Sequence, residues 1–278
     1  MTGNPAAPRR PVSAFGIGLA RAFGGAIFFA LPLFMTMEMW HLGFYMDRMR
    51  LATFLFLFIP VLIGLSHYAG FEDTDRWSDD LRDAFVALLV GFLTSAGVLS
   101  LGGVVQWGMP LRETVGQITL AAIPASVGAA LAESLLGEHE REERRRRGMG
   151  YGGELFLMAA GAIFFAFNIA PTEEMIIVAV KMKPWTVVAA GVISLLLMHA
   201  FVYAVEFQGR HKPPAGARWW SLFLRFTVVG YAIVLVMSAY VLWTFGRLDD
   251  STLSFQVATT IVLAFPASLG AAAARLVL

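Results

Sequence analysis

Eight apolar stretches of about twenty residues, each bounded by charge, constrain this chain more than any other feature: approximately residues 22–41, 51–69, 84–106, 114–136, 155–180, 185–206, 221–244 and 252–274. A hydrocarbon core of about 30 Å is crossed by about 20 helical residues, and a spanning backbone in lipid must satisfy its own hydrogen bonds. The spacing therefore predicts an all-α, polytopic membrane protein with eight transmembrane helices. Composition agrees. The chain is 58% hydrophobic and 15% charged, with a mean hydropathy of +0.67, whereas a soluble domain carries about 45–50% and about 25%. Cysteine is absent, which excludes disulfides, thiolate metal sites and thiol nucleophiles. A net charge of +1 gives no reason to expect nucleic acid as a partner.

Lys and Arg accumulate on cytoplasmic flanks. With the N-terminus inside, the inner set is Arg9, Arg10, Arg21, Arg76, Arg82, Arg141, Arg144, Arg145, Arg146, Arg147, Arg210, Lys212, Arg218, Arg225 and Arg275. The outer set is Arg48, Arg50, Arg112, Lys181, Lys183 and Arg247. The imbalance predicts both termini in the cytoplasm. Tryptophans 40, 77, 107, 185, 219, 220 and 243 fall at or near predicted span ends, where an amphipathic ring prefers the interface. The acidic segment from Phe71 through Asp79, Asp80 and Asp83 reads as a solvated loop, because it lacks the glycine and terminal glutamate of an EF-hand.

Gly25-Ala26-Ile27-Phe28-Phe29-Ala30 recurs as Gly161-Ala162-Ile163-Phe164-Phe165-Ala166, an offset of 136, and at that offset Thr36, Glu38 and Met39 meet Thr172, Glu174 and Met175. Pro124-Ala125-Ser126 with Gly128 likewise echoes Pro266-Ala267-Ser268 with Gly270. The chain reads as a cytoplasmic tail (1–21), a four-helix repeat (22–136), a charged cytoplasmic linker (137–150) and a second four-helix repeat (151–278). Four is even, so the repeats should be parallel, related by an axis along the membrane normal.

Carboxylates inside a membrane are costly, about 2.5–3.5 kcal/mol each at the bilayer centre, and mark function by default. Glu38 and Glu174 lie nine and seven residues before Asp47 and Lys181. On continuous helices this is roughly 10–14 Å inside the outer boundary. Side by side, they would hold a cation or share a proton. The run Asn168-Ile169-Ala170-Pro171-Thr172-Glu173-Glu174 reads as a helix interruption and restart, and Pro32 releases the carbonyl of Phe28 in the first half. With the hydroxyls of Thr36 and Thr172 and the amide of Asn168, the breaks offer oxygen ligands of the kind Ca²⁺, Mg²⁺ or Mn²⁺ prefers. The alternative is that the glutamates are neutral interhelical hydrogen-bonding groups. Glu173 faces Met37 in the repeat and suits a helix start. His67, His199 and Glu206 are accessory candidates for proton relay or gating. Met39 and Met175 suit packing better than soft-metal ligation.

The motifs Thr36-Met37-Glu38-Met39-Trp40 and Ala170-Pro171-Thr172-Glu173-Glu174 resemble those of a bacterial family of integral membrane proteins to which no activity is assigned. The resemblance covers nearly the whole chain outside the tail and linker. It implies a multi-pass protein of the bacterial inner membrane. The residues themselves lead to an expectation of a cation or proton-coupled cation channel or transporter, not an enzyme, with Glu38 and Glu174 as ligands or proton carriers, no certain cofactor, a divalent cation as the candidate one, and the lipid bilayer and a second copy of the chain as candidate partners. Two other readings stand beside it. An intramembrane enzyme acting on a lipid or isoprenoid would bring His67 or His199 to a glutamate, and a structural or sensory subunit would have a dry centre.

Overall fold

The computed structural model describes residues 12–69, 77–136, 150–207, 220 and 223–277. Among them the structure is helical, without strands. The helices are α1 (Val12–Phe34), α2 (Met37–Tyr45), α3 (Arg48–Ala69), α4 (Trp77–Leu101), α5 (Leu111–Leu136), α6 (Tyr151–Ile169), α7 (Glu173–Lys181), α8 (Pro184–Phe207), α9 (Val229–Thr244), entered through a π-helical turn at Phe223–Val228, and α10 (Leu253–Val277).

Eight helices are long and apolar enough to cross a membrane, as the sequence leads one to expect. Two boundaries differ in a way that matters. The first and fifth expected spans are not continuous: they end at Phe34 and Ile169, and the residues beyond form the separate short helices α2 and α7. Counting apolar residues carries a span through such a break because α2 and α7 are themselves apolar.

The segment Leu111–Ala132 of α5 lies at the centre, 89% buried, whereas Pro184–Phe201 of α8 is 17% buried and forms an outer wall. Small side chains suit α5 to that place. In lipid there is little hydrophobic gain from bringing helices together, and close backbone approach becomes the source of packing energy. Alanines 122, 125 and 129 are fully buried on this helix. α1 crosses α5 where Gly25 meets Gly128, and a Cβ on either residue would collide with the other's carbonyl oxygen. α6 crosses α10 in the same manner at Gly161 and Gly270. These pairs lie in the two sequence motifs that recur.

The two halves meet along an aromatic seam in which α3 runs antiparallel to α6. Near the start of α3, Phe54 stacks on Phe167 at 5.3 Å and touches Tyr240 at 5.7 Å, and at its other end Tyr68 meets Phe156 at 5.5 Å. Phe29 meets Phe164 at 5.2 Å between α1 and α6. Exposed Phe56, Leu89 and Val236 are 71%, 59% and 60% accessible, as suits faces turned to lipid.

Candidate functional site

Both candidate site segments sit at helix breaks. In α1, Pro32 has no N–H to donate, and the helix ends two residues later at Phe34. The turn is closed by the backbone of Thr36, which donates to Leu33 at 3.2 Å, and by its hydroxyl, which donates to the Pro32 carbonyl at 2.6 Å. Thr36 then leads into α2 with extended backbone, φ −97° and ψ 112°. Glu38 follows in the first turn of α2 and is partly buried.

The second break is built alike. Thr172 donates through its N–H to Ile169 at 3.0 Å and through its hydroxyl to the same carbonyl at 2.8 Å. Its backbone is extended, φ −69° and ψ 142°, and Glu173 and Glu174 follow in the first turn of α7. Both glutamates are exposed. Acids at a helix start are favoured by the unpaired N–H groups and the helix dipole. A threonine that donates once keeps lone pairs on its oxygen, so Thr36 and Thr172 still have acceptor capacity for a cation. Asn168 donates its amide N–H to Phe164 at 2.8 Å, and its side-chain oxygen is buried without a hydrogen bond among the described residues.

The breaks lie at the same end of the molecule. Arg48, at the start of α3, donates to the carbonyl of Gly43 near the end of α2 at 3.1 Å. Arg50, two residues on, reaches the α9–α10 loop, and from that loop Arg247 donates to the carbonyl of Pro171 in the second break. The depth expected of the glutamates does not follow from this arrangement. It rested on continuous helices, but α6 alone has 19 residues, about 28 Å, nearly the whole hydrocarbon core. Glu174 therefore lies beyond the end of this long helix, on the separate helix α7. Glu38 follows a span of the same length, Gly16–Phe34 with 19 residues.

Each short helix docks within its own half, α2 on α5 and α7 on α10. Gln117 of α5 donates to the Trp40 carbonyl at 3.4 Å, and the Trp40 indole donates to Phe34 at 3.0 Å. The carboxylates of Glu38, Glu173 and Glu174 make no hydrogen bond or ion pair with any described residue. Among the described residues, no cluster of three or more His, Asp or Glu is placed to hold a metal ion. A cation at a break would be held by hydroxyl and backbone oxygens and a single half's carboxylates. Met39 and Met175 are buried in the packing of α2 and α7.

His67 and His199 fall elsewhere. His67 Nδ1 lies 2.9 Å from Asp80 Oδ2, and His199 Nδ1 lies 2.8 Å from the hydroxyl of Thr227 in the π-helical turn. The side chain of Glu206 lies outside the described residues. Asp80 corrects the expectation of a solvated loop: it is 2% exposed and belongs to α4. Its register shows why. Asp80, Ala84, Ala87, Gly91 and Thr94 recur at helical spacing and form one buried stripe. Arg247 was also missed, and only tertiary structure brings it to Pro171.

No curated protein and no solved structure matches the chain. A family model does match, over residues 18–278, a range that includes both breaks and, but for the first residues of the first, all eight spans. The chain belongs to the family described as "Putative integral membrane protein (DUF2391)".

Proposed function

We propose that this protein passes a cation or a proton across the bacterial inner membrane, as a channel or transporter and not as an enzyme, and that the two helix breaks form oxygen-lined sites at one mouth of the path. The observation that carries the reading is the shared construction of the breaks. Thr36-Met37-Glu38 and Thr172-Glu173-Glu174 each follow an interrupted span, with a carboxylate close in sequence to the threonine that closes the turn and no hydrogen-bond or ion-pair partner for that carboxylate among the described residues. Two independent helices acquiring this arrangement at one end is what a duplicated four-helix unit with a retained task would give. Irregular backbone of this kind is tolerated at membrane depth where it is enclosed by protein or lines water.

The halves have diverged in one respect. Arg247 brings a guanidinium to the Pro171 carbonyl, so the second break already has a cationic partner. At the first break Arg48 is directed to the far end of α2 instead. Glu38 is therefore assigned the larger part in ion handling. The test is flux into proteoliposomes, scanned over protons, monovalent cations and Mg²⁺, Ca²⁺ and Mn²⁺. Flux above that of protein-free vesicles, falling in Glu38→Gln, supports the reading. No flux of any of these ions above protein-free vesicles contradicts it.

A further inference from the structure

Two arginines at the end of the molecule opposite the breaks are held in different ways. Arg275 of α10 is neutralised: it pairs with Glu154 at 3.0 Å, is 16% exposed, and lies over the Phe226 ring at 4.2 Å. Arg225, in the π-helical turn, is exposed, and its guanidinium lies 5.1 Å from the centre of the Tyr151 ring. The Tyr151 hydroxyl donates to the backbone carbonyl of Arg225 at 2.7 Å. Tyr151 thus fixes both the backbone and the charged head of Arg225, and its own polar group is already used. No carboxylate among the described residues pairs with Arg225.

A guanidinium has five N–H donors in a rigid fork that matches phosphate oxygens in pairs. Held on an aromatic face, it loses little further freedom when it binds. The same turn carries Leu224, 56% exposed, and follows Trp220, also 56% exposed and 6.3 Å from Phe223. Such apolar and indole groups sit where acyl chains meet headgroups. In the sequence, Arg210, Lys212 and Arg218 precede the turn.

We infer that Arg225, stacked on Tyr151, is a binding site for the phosphate of an anionic phospholipid headgroup, with the lipid chains lying along the exposed apolar residues of the π-helical turn. A basic side chain near an anionic surface contributes about 1 kcal/mol, about fivefold in affinity. The full-length protein in nanodiscs of phosphatidylcholine, titrated with spin-labelled phosphatidylglycerol, is the probe.

Arg225→Gln should weaken phosphatidylglycerol association about fivefold, and Arg82→Gln, whose side chain pairs with Asp79 at 3.3 Å, should leave it much less affected. Thermal stability in phosphatidylcholine alone reports folding. If Arg225→Gln does not fold, Arg225→Lys decides, since it keeps the charge and loses the fork: a reduced preference for phosphatidylglycerol supports the site. Unchanged preference in the folded variant overturns it. Displacement of the labelled lipid by equimolar inorganic phosphate would overturn the lipid assignment in favour of free phosphate.

Discussion

Arg50 grips Asp249 with both arms of its guanidinium, Nη1 to Oδ2 at 2.7 Å and Nη2 to Oδ1 at 3.0 Å, across the boundary between the two halves. The same Nη1 donates to the Trp243 carbonyl at 3.0 Å, and the guanidinium lies 5.1 Å from the Trp243 ring centre. Arg50 thereby fixes the α9–α10 loop from which Arg247 reaches the second helix break.

Removing this clamp should cost little by itself, because the side chains of Arg50 and Asp249 are 23% and 46% exposed. An exposed pair contributes about 0.2–1 kcal/mol. Arg50→Gln and Asp249→Asn are each expected to lower stability modestly in detergent, with a double-mutant coupling of about 1 kcal/mol or less. Arg50→Lys should recover only part of it, since an ammonium lacks the fork.

The glycine crossings should be far less forgiving. Gly25→Ala and Gly128→Ala, and likewise Gly161→Ala and Gly270→Ala, drive a methyl into a facing carbonyl and should each destabilise by about 1–3 kcal/mol. Gly97, inside α4 with no atom within 4 Å of an added Cβ, is the control. Gly97→Ala should be neutral or stabilising by up to about 1 kcal/mol. Thermal unfolding of the five single variants tests the contrast.

Asp80 is predicted to be a structural anchor of the end opposite the breaks. It is 2% exposed and hydrogen-bonded to His67. Truncating a buried hydrogen-bonding group costs about 1–3 kcal/mol, so Asp80→Ala should lose that much in thermal or denaturant unfolding. Asp80→Asn, which keeps the shape and an acceptor, should lose less.

The eight spans were legible because apolar length bounded by charge reports bilayer thickness directly. The breaks were legible only in part. Pro171 announced one, but the sequence reading let α7 continue the span because Met175, Ile176, Ile177, Val178 and Ala179 look like more of it. Asp80 was within reach of periodicity and was obscured by the acidic residues beside it. The Arg247–Pro171 contact and the Phe54–Phe167 stack join residues far apart in the sequence, and neither partner carries a local pattern that names the other.

If the Arg247 guanidinium is the resident cation of the second break, removing it should loosen that turn. A hydrogen bond with a charged partner contributes about 1.5–3 kcal/mol. Arg247→Gln is expected to cost up to that amount and to raise hydrogen exchange of the amides of residue 170 and residues 172–174 above wild type, with the first break unaffected.

The central claim is that the carboxylate beside the first break handles the ion, and flux through reconstituted Glu38→Gln and Glu174→Gln, compared in one preparation, tests it most directly. The expected result is transport by the wild-type protein, near loss in Glu38→Gln and a smaller reduction in Glu174→Gln, with all three equally folded. Wild-type transport retained in full by both variants would contradict it.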